Sequence, residues 1–233
     1  MIGVVIPARN EEEAIAATLA SVRAQGSPCD LLVVDGGSRD RTVERAAPLA
    51  RVHRASRAGR AAQMNEGARR VGGDAILFLH ADTRLPDGAF RAIEEALRDG
   101  RVAGGAFRKR FDDGSIFHAG ETLRGFLWLS VLRCLPGDRA IFVRRDLFET
   151  LGGFREEAPF EDLDLSRRML DRGRLVLLPA EVVTSARRFR KEGPLRTYAR
   201  LLGALALDRL GGAPSALRAR SLWPPREAPG DRP

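Results

Sequence analysis

The chain has 233 residues, 44% of them hydrophobic, enough to bury one large core and too apolar for a disordered chain. Its 39 basic residues, all arginine except Lys109 and Lys191, leave a net charge of +8, which suits phosphate, anionic lipid or nucleic acid on charge alone. Cys29 and Cys134 imply no disulfide framework and fit a reducing cytoplasm, and no stretch reaches the roughly 18 apolar residues of a spanning helix.

Residues 2–6 are an apolar run ended by Pro7, read as the first strand; because it begins so early, no secretory leader is expected. Asn10 is placed to cap the helix that follows. Glu11 to Glu13 occupy its first turn, and Ile15, Leu19 and Val22 form its buried stripe. Residues 31–34 make a second strand, and 42–47 a short helix capped by Ser38 or Asp40. Residues 60–70 read as a helix, 75–79 as a buried strand, and 88–97 as a helix with Phe90, Ile93 and Leu97 on one face. This alternation predicts an α/β fold, a parallel sheet with helices on both faces. The second half is less regular. Residues 102–107 and 140–143 read as strands, 111–135 as irregular and aromatic, 161–172 as a helix opening on an acidic pair, and 175–178 as a strand stopped by Pro179. Residues 194–210 form a leucine-rich helix with Leu195, Tyr198, Leu202 and Leu205 on one face. Residues 211–233, with five prolines and scattered charges, read as a disordered tail.

Groups that composition does not require collect at strand ends. Strand 75–79 delivers His80 and Asp82 to its carboxyl end, where open α/β sheets bind ligands. Alternation puts residues i and i+2 on one side, so the pair projects together and can hold a divalent metal against a diphosphate. The plain alternative is a polar strand end turning into a loop. Pro7-Ala8-Arg9-Asn10-Glu11-Glu12 follows the first strand. In Asp35-Gly36-Gly37-Ser38-Arg39-Asp40 the glycines permit close backbone approach, and Asp35 can accept from a base or ribose, or merely close an Asx-turn. Gly59-Arg60-Ala61-Ala62-Gln63-Met64-Asn65 opens a helix whose free N–H groups and Arg60 suit an anion. Glu161-Asp162 stand at a helix start, with Arg167 and Arg168 about one turn on.

In this order, and with Gly152-Gly153-Phe154 and Thr184-Ser185-Ala186-Arg187-Arg188, these stretches resemble glycosyltransferase family 2, the nucleotide-sugar transferases of GT-A fold. The resemblance runs from Val4 to about Arg196 and looks like a small bacterial branch whose acceptors are mostly undefined. It implies a single GT-A domain over 1–210, with a mostly parallel central sheet, a donor half at 1–100 and an acceptor half carrying the base at 101–210. It further implies that Pro7, Ala8, Arg9, Asn10 and Glu11 border the nucleobase and ribose, and that Asp35 with Gly36 binds the base, commonly uracil. Arg60, Asn65 and Ala81 would line the donor, with Arg167 or Arg168 facing the diphosphate. Asp82 matches the metal-binding carboxylate, and Asp162, beside Glu161, the catalytic base.

Two departures matter. The first acidic position of Asp-x-Asp is His80, so one carboxylate is offered; imidazole suits Mn²⁺ better than Mg²⁺ as the divalent metal. Gly137-Asp138-Arg139 stands where relatives often carry glutamine in the third place. Asp138, Trp128, Arg187 and Arg188 are assigned to the acceptor side, although Asp138 can instead pair with a nearby arginine. The apolar segment 117–132, read equally as core or as an acceptor surface, and the basic stretch 187–200 point to a lipid or carotenoid-type acceptor and to the inner face of the membrane; a small soluble acceptor is the alternative.

The expected activity is inverting transfer from a nucleotide-diphosphate donor to a hydroxyl- or carboxyl-bearing acceptor, because one displacement assisted by one base inverts the anomeric centre. A nucleotidyltransferase would want a Gly-rich basic loop after strand one, where this chain carries Glu11 and Glu12. A dinucleotide-binding oxidoreductase needs a Gly-x-Gly-x-x-Gly that is missing after every predicted strand. A nucleic-acid module explains the charge but not the carboxylates at strand and helix ends, so no nucleic-acid partner is expected. Binding of a nucleotide sugar without turnover is favoured by His80 alone.

Overall fold

Strand β1 (Ile2–Ala8) lies in an eight-stranded sheet between β2 (Cys29–Asp35) and β4 (Ala75–Phe78), parallel to both; β3 (Arg51–Arg54) extends the β2 edge, also in parallel. Beyond β4 come β7 (Ile141–Arg144), antiparallel to its two neighbours, then β6 (Val102–Phe111) and β8 (Arg174–Thr184), parallel to each other. The two-residue β5 (Thr83–Arg84) closes the far edge, giving the order β3-β2-β1-β4-β7-β6-β8-β5. This computed structural model describes residues 1–114, 129, 134–158 and 160–210. The tail 211–233 and the candidate acceptor residues Phe117, Leu123, Phe126, Leu127, Trp128 and Leu132 lie outside the described residues.

Alternation divides the core into two faces. Ile2, Val4, Ile6, Leu77 and Leu79 pack with residues of helices α1 (Ile15–Arg23) and α4 (Ala89–Leu97). Val5, Ile76 and Phe78 pack on the other face with α3 (Arg60–Ala68), α5 (Arg145–Thr150) and α6 (Glu161–Leu170). There the Phe78 ring centroid lies 5.1 Å from Phe148 and 4.8 Å from Phe154. Helices α2 (Thr42–Ala46), α7 (Arg187–Glu192) and α8 (Pro194–Leu210) complete the described chain. From β1 the chain first builds β2 and β3 on one side, then crosses to β4 on the other. The carboxyl ends of β1 and β4 therefore form the topological switch point where such sheets bind ligands.

Helix α3 can approach β1 closely because Gly67 has no side chain: a Cβ there would lie 2.3 Å from Val5 Cγ1 and 3.0 Å from Val34 Cγ2. Alanine is the better helix former by about 1 kcal/mol, but overpacking a core costs about 1–3 kcal/mol. Gly67→Ala is therefore expected to lower the melting temperature, as read by calorimetry; an unchanged or raised value would mean that α3 sits further from the sheet.

The structure corrects three local expectations and chooses between the two caps offered for the second helix. The first helix starts at Ile15, and Asn10 does not cap it: Asn10 has φ +50°, and its Oδ1 accepts from Arg39 N–H at 2.7 Å. Asp40 is the group that accepts from Thr42 N–H, at 3.0 Å. Strand β3 and helix α5 were not expected, and β6 runs on to Phe111. Finally, Pro179 does not stop its strand, because the register jumps from Phe107↔Leu178 to Arg108↔Glu181 and leaves the proline in a bulge that asks nothing of its missing N–H.

Candidate active site

At the switch point the loops after β1 and β2 are sewn together through side-chain oxygens. Asn10 N–H donates to Ser38 Oγ at 3.0 Å, Glu11 N–H to Thr42 Oγ1 at 2.7 Å and Glu12 N–H to Asp40 Oδ2 at 3.1 Å. Gln63, on α3, donates from Nε2 to the carbonyls of Ala8 (3.0 Å) and Val34 (2.7 Å), bridging the ends of both strands. Sequence reasoning missed this use of Gln63; the available signal was a polar residue in the middle of a buried helix face. Gly36 lies against that amide, where a Cβ would be 2.8 Å from Nε2. Asp35 is buried and accepts from the N–H groups of Gly37 and Ser38, both at 3.1 Å, so the Asx-turn forms. A carboxylate offers about four acceptor sites, so this turn does not exhaust it. Pro7 and Ala8 are buried in β1, while Arg9 is exposed.

The second cluster joins α3, the end of β4, the short 3-10 turn Gly137–Arg139 and the start of α6. Arg60 Nε donates to Glu161 Oε1 at 2.5 Å, and its Nη1 stands 3.5 Å from His80 Nε2. Gly137 N–H donates to Asp162 Oδ2 at 2.5 Å, while Leu163 N–H holds the other oxygen at 2.9 Å. Burial, and then the charge of Glu161, push the Asp162 carboxyl up to about 6; Arg60 and the two N–H groups offset only part of this. Burial also works against ionised Glu161, but the Arg60 guanidinium outweighs it and holds that carboxyl low. The neighbouring acids thus part company, one poised to take a proton and one fixed as an anion. The Arg60 side chain is 41% exposed and that of Glu161 11%, so the guanidinium reaches solvent while the carboxylate it holds does not.

Asp138 pairs with Lys109 Nζ at 2.6 Å rather than with an arginine alone. Burial would raise its carboxyl, but Lys109 and Arg139 together keep it well below the usual range. Lys109 was also missed, although it shares a strand side with buried Phe107 and Phe111, the latter 4.6 Å from Nζ.

The strand that delivers His80 and Asp82 ends at Phe78, and Thr83 N–H donates to the His80 carbonyl at 3.1 Å. A turn, not strand alternation, therefore sets how these two side chains stand. His80 Nε2 faces Gly137, where a Cβ would be 3.2 Å away, and Asp82 is buried. Ala81, also buried, accepts from Thr18 Oγ1 at 2.8 Å. Among the described residues no group of three His, Cys, Asp or Glu side chains gathers as a metal cage.

Other candidate residues have structural duties. Asn65 clamps the Phe154 backbone, donating to its carbonyl and accepting from its N–H, each at 2.9 Å. Arg168 donates to the carbonyls of Leu151 and Gly153, both at 2.8 Å, and to Asp164. Both residues thus brace the turn at Gly152 and Gly153, each at φ +74°. Arg167, one position earlier on α6, is partly buried. Arg187 Nη2 donates to both carboxylate oxygens of Glu11 at 2.8 Å, which brings it to the loop after β1; Arg188 beside it is partly buried.

A switch-point sheet, two laced strand-end loops and a carboxylate pair facing an arginine fit the class that the comparisons give, a glycosyltransferase of GT-A fold. The chain belongs to glycosyl transferase family 2, whose model matches residues 3–152. No curated protein matches the sequence. Among solved structures, the mannosyltransferase PcManGT of Pyrobaculum calidifontis, in complex with GDP-Man and Mn²⁺, superposes with a TM-score of 0.65 at 20% identity, over 94% of this chain and 68% of that one. TarS of S. aureus in complex with UDP gives 0.64 at 18%, over 86% and 65%. Glucosyl-3-phosphoglycerate synthase of Mycobacterium tuberculosis, with Mn²⁺, UDP and glucosyl-3-phosphoglycerate, gives 0.60 at 21%, over 90% and 79%. The chain spans about two thirds of the length of the first two. At these identities the likeness establishes the shared fold.

Proposed function

We propose that the protein is an inverting glycosyltransferase that moves a sugar from a nucleotide-diphosphate donor, UDP-sugars favoured, to an acceptor hydroxyl or carboxyl. The observation that carries this is Asp162, held by the Gly137 N–H beside the Arg60–Glu161 pair at the switch point. Asp162 takes the acceptor's proton as the acceptor oxygen bonds to the anomeric carbon. The bond from that carbon to the donor phosphate breaks, and its electron pair leaves with the nucleoside diphosphate. Arg60, held by Glu161 near the donor phosphates, meets the growing charge of that leaving group. The laced loops from Pro7 to Glu11 and from Asp35 to Ser38 receive the nucleoside.

The donor set of one carboxylate and one imidazole fits a cation that draws its other ligands from the diphosphate and water. Asp82 and His80 would hold Mn²⁺ in preference to Mg²⁺. Bound there, it would neutralise phosphate charge. Mn²⁺ in two of the superposed structures supports this assignment. The acceptor in this reading is a lipid or carotenoid-type molecule met at the inner face of the membrane, with Asp138 and Arg188 on its side, whereas Arg187 is paired to Glu11 of the loop after β1.

A base must be ionised to act, so the acid limb of kcat/KM is expected to fall with decreasing pH through about 6, the value to which Asp162 is raised. A flat profile across that range would remove Asp162 from the base role. The direct test is a thermal-shift titration with UDP-, GDP- and dTDP-sugars, with and without Mn²⁺. A specific donor stabilises by about 2.7 kcal/mol at a hundredfold excess over its dissociation constant. A shift for one nucleotide class, enlarged by Mn²⁺, is the expected result; no shift with any donor would overturn the reading.

A further inference from the structure

Helix α8 leaves an apolar stripe in water. Among the described residues four large hydrophobic side chains are exposed, and two of them, Leu195 (76%) and Leu202 (65%), lie on this helix. They stand seven residues apart, and Ala199 and Ala206, both exposed, fall between and beyond them on the same side. Thr197 and Ala204 form the buried side of the helix. The stripe from Leu195 to Ala206 is about 17 Å long at helical rise. At its amino-terminal end Lys191 and Arg196 are exposed cations; Arg190, also exposed, pairs with Asp112, Arg187 with Glu11 and Arg200 with Glu192.

We propose that this face of α8, with the basic end of α7, docks on an anionic membrane surface, the leucines entering the headgroup boundary and the cations meeting lipid phosphates. The chemistry favours a bilayer over a second copy of the chain. Two leucines and two alanines fall far short of the roughly 800 Å² per partner of a stable dimer. A like-charged copy would also set the same basic groups against one another. A lipid surface offers complementary charge and takes a shallow helix in its plane. No helix among the described residues is long and apolar enough to cross a membrane, so the contact is one of lying on the surface. Helix α7 is tied to the body by Arg187 to Glu11 and by Arg190 to Asp112, and α8 to α7 by Arg200 to Glu192. This inference does not depend on the transferase reading.

The test is co-sedimentation of the full chain with phosphatidylcholine vesicles, with and without phosphatidylglycerol, at low and high salt. The expected result is binding to the anionic vesicles that weakens with salt and is at least about tenfold weaker in the double variant Leu195→Asp, Leu202→Asp. An unchanged melting temperature of that variant controls for folding. A second variant, Lys191→Glu with Arg196→Glu, should remove most of the salt-dependent part. Absence of binding to any vesicle overturns the proposal, as does anionic-vesicle binding that both variants leave intact. A solution dimer abolished by Leu202→Asp, without vesicle binding, assigns the face to a second copy and overturns it equally.

Discussion

Asp162→Asn is expected to lower kcat by about a hundredfold to ten-thousandfold, the range that a positioned general base contributes, while leaving the dissociation constant for donor nearly unchanged. The amide keeps one oxygen, for the Gly137 N–H, while its NH2 cannot accept from the Leu163 N–H, so an unchanged melting temperature is the control that the start of α6 retains its shape. What it loses is the capacity to accept a proton. The measurement that separates the outcomes is donor affinity by calorimetry beside single-turnover transfer. Loss of affinity together with loss of rate would make Asp162 a binding residue. An unchanged rate would put the base elsewhere, with Glu161 the adjacent candidate.

Asp82→Ala is expected to abolish the Mn²⁺-dependent part of donor affinity, a loss of about a hundredfold at saturating metal. The same variant should bind donor without metal as the parent chain does, because the nucleoside loops remain intact. Titrating donor against both proteins, with and without Mn²⁺, reads this directly. If Asp82→Ala leaves the Mn²⁺ enhancement in place, the cation is held by other groups.

The α/β alternation was legible because buried strands and amphipathic helices carry their own periods, and the strand-end motifs marked the switch point by residue type. What sequence could not supply was partnership. Asn10 looked like a cap because short polar side chains cap helices, yet the same chemistry tolerates positive φ, and its partner Arg39 lies 29 positions away. Strand β3 escaped because Arg51, Val52, His53 and Arg54 lack an apolar run; β2 alone makes an edge segment of them. Asn65 and Arg168 were read toward the donor because amides and guanidinia suit phosphates. In the structure both hold backbone carbonyls, that of Phe154 standing 89 positions from Asn65. The contrast between Asp162 and Glu161 was equally invisible, since it arises from which of two adjacent acids Arg60 reaches.

The place of β8 in the sheet has a consequence for how this molecule can be divided. The family-matching segment ends at residue 152, before β8 begins, yet β8 supplies the partner for the full length of β6 and the only partner of β5 among the described residues. A polypeptide cut near that point would present β6, ten residues long and mostly buried, as a bare adhesive margin. Recognisable homology and autonomous foldability therefore part ways here. The piece that carries the signature should clump on release from the ribosome, and the shortest chain worth expressing runs at least through Thr184.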